Sequence, residues 1–319
     1  MTITRRNLLL STGSIGSLSL VGCATPAPVK PSLAEIGIYS AGQGSAFLPY
    51  AQGVASYLSA QGLKTQALVS AGSIENIRKI DAERTRLATV FLGTAFEAIS
   101  GTGAWTQGQK FPQLRALFPM YETSFQVAAL RSAGISSMAQ LAGKRVGVGP
   151  AGGPAEGYFK GLMEVTGLQA QIINGAPAAL ATDLLAGKID ALWQGAALPI
   201  PALKQVADGA DSLVFGLTDG ELASMLKRFA FLSPATIAAN TYRGQSTPLK
   251  SVAAWNFVMA HQDFPETDAY WITKTVLSVA DPLSLHASAG PTRATNAANN
   301  KVVPFHAGAL RFYKEVKAL

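Results

Sequence analysis

The sequence has few of the residues that usually carry redox, metal or nucleophilic chemistry. Its 319 residues include one cysteine, Cys23, and three scattered histidines, His261, His286 and His306. A single cysteine excludes an internal disulfide, and the histidines do not have the spacing of a zinc site. Neither an H-E-x-x-H nor a G-x-S-x-G motif is present. We therefore expect a protein that is not an enzyme and that uses no metal and no cofactor.

Charged residues are also scarce, at 14% of the chain, with 26 Lys and Arg against 19 Asp and Glu. The formal net charge is +7, and it falls to +5 if the first 22 residues, which carry Arg5, Arg6 and no acids, are removed. The basic residues form no dense run, so the composition excludes the footprint of a nucleic-acid-binding protein. A mild attraction for small anions is the expected consequence.

The N-terminus has the pattern of a lipoprotein signal peptide over residues 1–22. Arg5 and Arg6 precede a run of apolar, Ser and Gly residues that is too short to span a bilayer. The run ends at Leu20-Val21-Gly22-Cys23, which is typical of a lipobox. The alternative is that Cys23 is a buried or idle thiol.

Lipidation of Cys23 would place the protein on the periplasmic side of a bacterial membrane, anchored by its acyl chains. Residues 23–31 contain three prolines and are expected to form a tether. The two adjacent arginines fit both general secretion and twin-arginine export, and both routes stay open. The sequence also leaves open whether the inner or the outer membrane is used.

After the tether, apolar strand-like runs alternate with segments of helical periodicity, a pattern that indicates an α/β fold with parallel strands. Expected strands lie at 35–39, 65–69, 87–92, 126–130, 145–148 and 191–193, and expected helices at 50–61, 73–83, 157–166 and 178–186.

Three turns between an expected strand and the next helix are rich in small residues. They lie at 40–45, 70–73 and 149–154. Such turns collect at the carboxyl ends of strands, where ligands bind in open α/β sheets. Free backbone N–H groups at the following helix N-termini favour carboxylate or phosphate. None of the turns has the ending of a phosphate-binding loop or the spacing of a dinucleotide fingerprint.

Over nearly the whole chain beyond the signal peptide, the sequence resembles the TAXI-type solute receptors of TRAP transporters. The resemblance depends on the order and spacing of several segments. These are GQGSAFLP at 42–49, AGSIEN at 71–76, LAGKRVGVG at 141–149, LAGKIDA at 185–191, AYWITK at 269–274 and PFHAGALRFY at 304–313.

The resemblance implies a two-lobed periplasmic-binding-protein fold of type II, with two mixed sheets flanked by helices and joined by crossover hinge strands. Lobe one would hold 32–125 and 235–319, and lobe two would hold 126–234. The implied function is capture of a small organic solute, often a carboxylate, which is delivered to a sodium-coupled TRAP membrane component.

The ligand-binding residues expected from the turns and the resemblance fall into four groups. The first turn contributes Ser40, Gly42, Gln43, Gly44, Ser45 and Phe47; the second contributes Gly72, Ser73 and Asn76; the third contributes Gly152 and Gly153; and two aromatic residues, Phe91 and Trp193, would line the cleft. Simpler interpretations are a helix N-cap for Ser73, a solvated side chain for Asn76, and core positions for the two aromatic residues.

The chain departs from the family pattern at the turns. Ala151-Gly152-Gly153-Pro154 stands where a Gly-Ser-Gly-Thr-like segment is usual, and Ala46 stands where Thr is common. The loss of hydroxyl donors indicates a larger or more apolar ligand than usual for the family, or a receptor that no longer binds the usual acids.

Three further side chains and two other functions remain as alternatives. Arg115 and Arg131 could clamp a carboxylate through paired hydrogen bonds, or could be solvated strand-end residues. Glu97 is expected to be a surface or capping carboxylate.

A sensor or interaction lipoprotein is the second functional class, and an unrecognised enzyme is the third.

Overall fold

Within the described residues, ten strands form one mixed sheet flanked by helices, as the strand and helix pattern predicts. The structure is a computed structural model, and it describes residues 30–42 and 45–319. The expected signal peptide, Cys23, and Gln43 and Gly44 of the first turn lie outside the described residues.

The elements alternate along the chain. The strands are β1 (Glu35–Tyr39), β2 (Lys64–Leu68), β3 (Leu87–Phe91), β4 (Leu114–Leu130), β5 (Arg145–Gly147), β6 (Gln171–Ile173), β7 (Ala191–Ala196), β8 (Ser212–Phe215), β9 (Leu232–Ile237) and β10 (Leu249–His261). The helices are α1 (Phe47–Ala60), α2 (Ser73–Ala82), α3 (Leu92–Ser100), α4 (Pro154–Thr166), α5 (Pro177–Leu185), α6 (Pro201–Gly209), α7 (Asp219–Arg228), α8 (Glu266–Leu277) and α9 (Ala307–Glu315).

Two long antiparallel strands, β4 and β10, form the centre of the sheet. The strand order is β2-β1-β3-β10-β4-β7-β5-β6, with β8 paired to β4 and β9 paired to β10. Strands β1, β2 and β3 are parallel and make the first half of the sheet, while β5, β6 and β7 are parallel and make the second half. The two expected sheets are therefore hydrogen-bonded into one, because β4 and β10 run through both halves.

The buried apolar residues form three clusters on the two faces of the sheet. The largest joins α2, α3, α4 and α7 to one face, the second joins α1, α8 and α9, and the third joins α5 and α6. Ile38 belongs to the second cluster and the next residue, Tyr39, to the largest. Since successive side chains of a strand point to opposite faces, these clusters lie on opposite faces. Leu192 and Trp193 show the same alternation between the third cluster and the largest.

Within residues 30–42 and 45–319, no helix has both the length and the apolar character needed to cross a bilayer. The division into lobes at 32–125, 126–234 and 235–319 stays a prediction. Strand β4 carries the first of these boundaries and β9 the second.

Candidate functional site

The first turn follows β1, and its two described serines bond to neighbouring groups of the protein. Ser40 is fully buried, and its Oγ donates to the Leu68 carbonyl oxygen over 2.9 Å, which joins the ends of β1 and β2. Ser45 is half-buried, and its Oγ accepts from the Phe47 backbone N–H over 3.2 Å. Ser45 therefore satisfies one of the free N–H groups at the start of α1. Gly42 lies on the same turn, and its carbonyl accepts from Ser45 N–H.

The second turn is locked to the ends of two strands by Asn76. This side chain is fully buried, and its Nδ2 donates to the carbonyl oxygens of Ser40 over 2.7 Å and of Thr89 over 2.8 Å. Its Oδ1 accepts from Ser70 Oγ over 2.5 Å. Because both N–H groups and the oxygen of the amide are hydrogen-bonded inside the protein, the structure gives Asn76 a structural role.

Ser73 and Gly72 also shape the second turn. Ser73 Oγ accepts from the Phe91 backbone N–H over 3.0 Å, so it links the start of α2 to the end of β3. The N-cap of α2 is Gly72 rather than Ser73, and Gly72 has φ +107°, a left-handed value that favours glycine. At this helix N-terminus Glu75 Oε2 accepts from the Ala71 N–H over 2.7 Å.

The third turn places a carboxylate of its own at the start of α4. Gly152 has φ +71°, and its N–H donates to Glu156 Oε2 over 2.5 Å. Gly153 donates to the Pro150 carbonyl oxygen over 3.0 Å and is the N-cap of α4. A hydrogen bond from Lys160, followed by that from Gly152, lowers the pKa of Glu156. The α2 and α4 N-termini, two of the expected anion sites, are thus partly satisfied by the protein's own acids.

The aromatic residues expected in the cleft differ in their exposure. Trp193 is fully buried, its indole N–H donates to the Ala155 carbonyl oxygen over 2.9 Å, and its ring stacks on Phe125 with centroids 5.6 Å apart. Phe91 is also buried. Phe47 is half-buried and lies 6.4 Å from the Tyr121 ring. The structure therefore places Phe91 and Trp193 in the core and leaves Phe47 partly open to solvent.

Tyr158 of α4 connects the two halves of the molecule. Its ring lies 5.7 Å from Phe91 of the first half and 5.0 Å from Phe125 of β4. Phe229 and Phe231 complete the surrounding aromatic cage at 5.4 Å and 5.7 Å. Burial raises the pKa of the Tyr158 hydroxyl well above its ordinary value, so the group is neutral at physiological pH.

The charged side chains considered as ligand groups are engaged by neighbours. Arg131 pairs with Asp211 at 3.1 Å on the surface. Arg115 donates to the Pro112 carbonyl oxygen over 2.7 Å and to Gln262 Oε1 over 2.8 Å. Glu97 accepts from the Trp105 indole N–H over 2.8 Å. The structure does not bring these groups to the three turns.

The structure adds a set of polar residues on β4 and β7 that sequence reasoning did not identify as a site. Gln126 of β4 and Gln194 of β7 are directly opposite in the sheet register, and Ser124 lies two residues before Gln126. All three are buried to more than nine-tenths. The sequence signal is that every second residue of this stretch, at Glu122, Ser124 and Gln126, is polar, within a strand that is mostly apolar.

The predicted residues form two groups at the carboxyl ends of the strands. Ser40, Ser73, Asn76 and Phe91 are brought together in the first half through the bonds described above. Gly152, Gly153 and Trp193 lie in the second half around the start of α4, together with the added glutamines. This is the edge at which open α/β sheets bind ligands.

Several solved structures are similar to this chain. The TctC solute-binding protein from Polaromonas is 13% identical, and the match covers 91% of this chain and 100% of that chain with a TM-score of 0.54. MatC from Rhodopseudomonas palustris, solved with bound malate, is 11% identical, with coverage of 89% and 95% and a TM-score of 0.52. The periplasmic binding protein BugD is 13% identical, with coverage of 91% and 98% and a TM-score of 0.52.

At these identities the likeness establishes the fold alone. The expected α/β fold of periplasmic solute-binding proteins, with a mixed sheet flanked by helices, is confirmed. The model of the NMT1-like family matches residues 38–316, which is most of the chain. The chain therefore belongs to the NMT1-like family.

Proposed function

We propose that this protein is an extracytoplasmic solute-binding receptor that captures a small organic solute between two lobes. One observation carries the proposal: both halves of the sheet have strand-to-helix turns, and the two halves share the continuous central strands β4 and β10. Turns after β1 and β2 belong to one half and the turn after β5 to the other. A solute between them would contact both halves at once, which is the basis of ligand-driven hinge closure.

The lobes would be 32–125 with 235–319, and 126–234. The proposed binding set keeps the other residues of the three turns and Phe47, while Asn76, Phe91 and Trp193 would support them from inside the protein. The side chains of Ser73 and Asn76 are engaged inside the protein. The backbone N–H groups of Gly72 and Gly153 are also bonded internally, to Ser70 Oγ and to the Pro150 carbonyl oxygen, so the backbone of Gly42 carries more of this proposal.

We infer the solute class from two sources that point in different directions. The similar protein MatC was solved with malate, and a carboxylate is what the resemblance to TAXI receptors implies. The third turn, in contrast, has lost hydroxyl donors and bonds to Glu156. A carboxylate therefore stands as the general expectation.

The proposed partners are a sodium-coupled TRAP membrane component and, through Cys23, the lipid of a bacterial membrane on its periplasmic side. Assignment to the TAXI group is part of this proposal. A second candidate is a ligand-sensing or interaction lipoprotein of the same fold that has lost transport. The internal bonding of Ser73, Asn76 and Glu156 favours this candidate, because it removes groups that could contact a solute.

Thermal unfolding of the protein against a panel of dicarboxylates, amino acids, keto acids, aromatic acids and phosphate esters tests the receptor proposal. A solute at about 100 times its dissociation constant stabilises the folded state by about 2.7 kcal/mol, which raises the Tm by several degrees. We expect at least one such rise. No rise with any solute class, including the amines introduced below, would contradict the receptor function.

The Cys23→Ala variant tests the anchor separately. We expect it to move from the membrane fraction to the soluble fraction, because it cannot be acylated. A variant with Thr25→Ala, on the adjoining tether, is the matched control and should stay with the membrane. Retention of Cys23→Ala in the membrane would contradict lipid anchoring and leave the receptor proposal intact.

A further inference from the structure

Four residues of β4 and β7 form a polar row on one face of the sheet, three of them buried and one, Glu122, half-buried. We define the amide row as Glu122, Ser124 and Gln126 of β4 with Gln194 of β7. Ala128 and Leu192 belong to the third cluster. Gln126 lies two residues before Ala128, and Gln194 lies two residues after Leu192. Since side chains two apart on a strand share a face, the row continues the face that carries α5 and α6.

The amide row lies between the second and third apolar clusters. Ala197, just after β7, packs against the second cluster, whereas Ala196 packs against the third. Gln194 also adjoins the third turn, because a Cβ on Gly149 would lie 3.2 Å from its Nε2. Gly149 has φ +79°. The row therefore occupies the junction of the two halves beside a turn already expected to bind solute.

Three polar groups of the row have no hydrogen-bond partner among the residues that the structure describes. They are Ser124 Oγ, Gln126 Nε2 and Gln194 Nε2, all buried. The Oε1 of Gln126 does have a partner, since it accepts from the Tyr242 hydroxyl over 2.7 Å, so the Nε2 is the end of this amide that is left without one. Buried donors without acceptors destabilise a folded protein, so their retention indicates an acceptor that arrives from outside.

The charge of the row is negative or neutral. Glu122 is its one ionisable member, and within the described part of the chain it has no ion-pair or hydrogen-bond partner. Burial raises the pKa of the Glu122 carboxyl, as expected for an acid with no cation beside it. Arg115 and Arg131 are engaged elsewhere. The row offers no positive charge to an anion.

We propose that the amide row is a solute subsite for a small cationic amine that also carries a carbonyl or hydroxyl oxygen. The oxygen would accept from the amides of Gln126 and Gln194 and from Ser124, and the ammonium would face Glu122. Ser124 lies between Glu122 and Gln126, roughly 6.6 Å from each along the strand, so an amino-acid amide or an amino sugar centred on Ser124 would meet the two long side chains from either side. This inference rests on the proposed receptor function, but it changes the expected solute from a carboxylate to an amine.

Isothermal titration of the full-length protein with two matched series tests the solute class. The first series is leucinamide, leucine and 4-methylpentanoate, and the second is glucosamine and gluconate. We expect a cationic member to bind at least about tenfold more tightly than the anion of its series. Glu122→Gln should remove this preference, and Gln194→Met should weaken binding by about tenfold or more.

Two results would overturn the proposal while leaving the receptor function in place. One is tighter binding of the anions, or of dicarboxylates alone, and the other is an unchanged preference in Glu122→Gln. A blank with every amine and every acid would overturn both the subsite and the receptor.

The stability of the ligand-free variants provides an independent test. Gln194→Met and Ser124→Ala remove unpartnered buried groups, so each should raise the Tm of the free protein. Gln52→Met, on the exposed surface of α1, is the matched control and should leave the Tm unchanged. A lower Tm in both row variants would show that the groups are satisfied within the folded protein, and the proposal would fail.

Discussion

At the residue scale, Asn76 shows how a side chain with suitable binding chemistry can be used by the fold itself. Its amide joins the second turn to β1 and β3 through hydrogen bonds to the carbonyl oxygens of Ser40 and Thr89. The expected role as a ligand contact was drawn from its position on a turn. Position on a turn cannot distinguish an amide that points toward the solute from one that points toward the sheet.

Asn76→Ala is therefore expected to lower the free energy of unfolding by about 2 kcal/mol, because it removes three buried hydrogen bonds, to the carbonyl oxygens of Ser40 and Thr89 and from Ser70 Oγ. Urea denaturation measures the change. Asp81→Asn, near the end of the same helix, is the control and should change stability by less than about 0.5 kcal/mol, because Asp81 has no side-chain hydrogen bond or ion pair among the described residues. Equal stability of Asn76→Ala and the wild type would contradict the structural role.

At the element scale, the packing of α4 depends on two glycines one turn apart. Gly161 is buried, and a Cβ there would lie 2.3 Å from the Phe229 ring, whereas Gly157 is exposed and has no atom within 4 Å. The helix approaches the aromatic cage closely only where Gly161 stands. Sequence reasoning included both glycines in one helical segment, 157–166, but gave no means to tell them apart.

The two glycines give a prediction with an internal control. Gly157→Ala should stabilise the protein by about 0.5 to 1 kcal/mol, because alanine has the better helix propensity. Gly161→Ala should destabilise it by about 1 to 3 kcal/mol through the clash with Phe229. Thermal or urea unfolding measures both changes. Similar effects of the two substitutions would mean that α4 does not pack on the aromatic cage as described.

The N-terminus of α9 carries a prediction about pH. His306 is the N-cap of α9, where its Nδ1 accepts from the Gly308 N–H over 3.2 Å, and its Nε2 donates to the Gln262 carbonyl oxygen over 3.1 Å. This arrangement requires the neutral imidazole. Burial is the main cause that lowers the pKa of His306 below its ordinary value of 6.5.

A lowered histidine pKa means that the unfolded chain binds the proton first. The stability that His306 contributes is complete above about pH 6.5 and is lost as the pH falls toward the folded-state pKa, with a slope of at most about 1.4 kcal/mol per pH unit. His306→Asn keeps an oxygen that can cap Gly308 and cannot titrate. We expect the variant to lose less stability than the wild type between about pH 7.5 and pH 5.5. Equal losses in urea unfolding would contradict this assignment.

The sequence pattern predicts the short strands better than the two long central ones. The pattern predicted β1 at 35–39 in full and β3 nearly so, since each is a short apolar run bounded by turn residues. It located only the last part of β4, at 126–130, and gave no strand at 249–261. These two central strands are long and buried on both faces, so they lack the alternation that marks a half-buried strand.

At the scale of the whole molecule, the α/β class followed from the order of strands and helices, and the periplasmic-binding-protein fold followed from the order of several segments. The joining of both halves into one sheet did not follow, because it depends on pairings between residues far apart in sequence, such as Val258 with Phe118. The amide row was missed for the same reason. Gln126 and Gln194 become neighbours only through the pairing of β4 with β7.

If a solute binds between the two halves, it should draw them together. Spin labels on Gln52→Cys of α1 and Gln205→Cys of α6, in a Cys23→Ala background, report the distance between the halves. Both positions are exposed, and their helices belong to the second and third clusters on one face. Labels on Gln52→Cys and Lys314→Cys, both in the first half, provide the control.

We expect that a saturating solute shortens the distance between the halves and leaves the control distance unchanged, because differential contacts with both halves stabilise the closed state. A solute that binds tightly while both distances stay the same would contradict it.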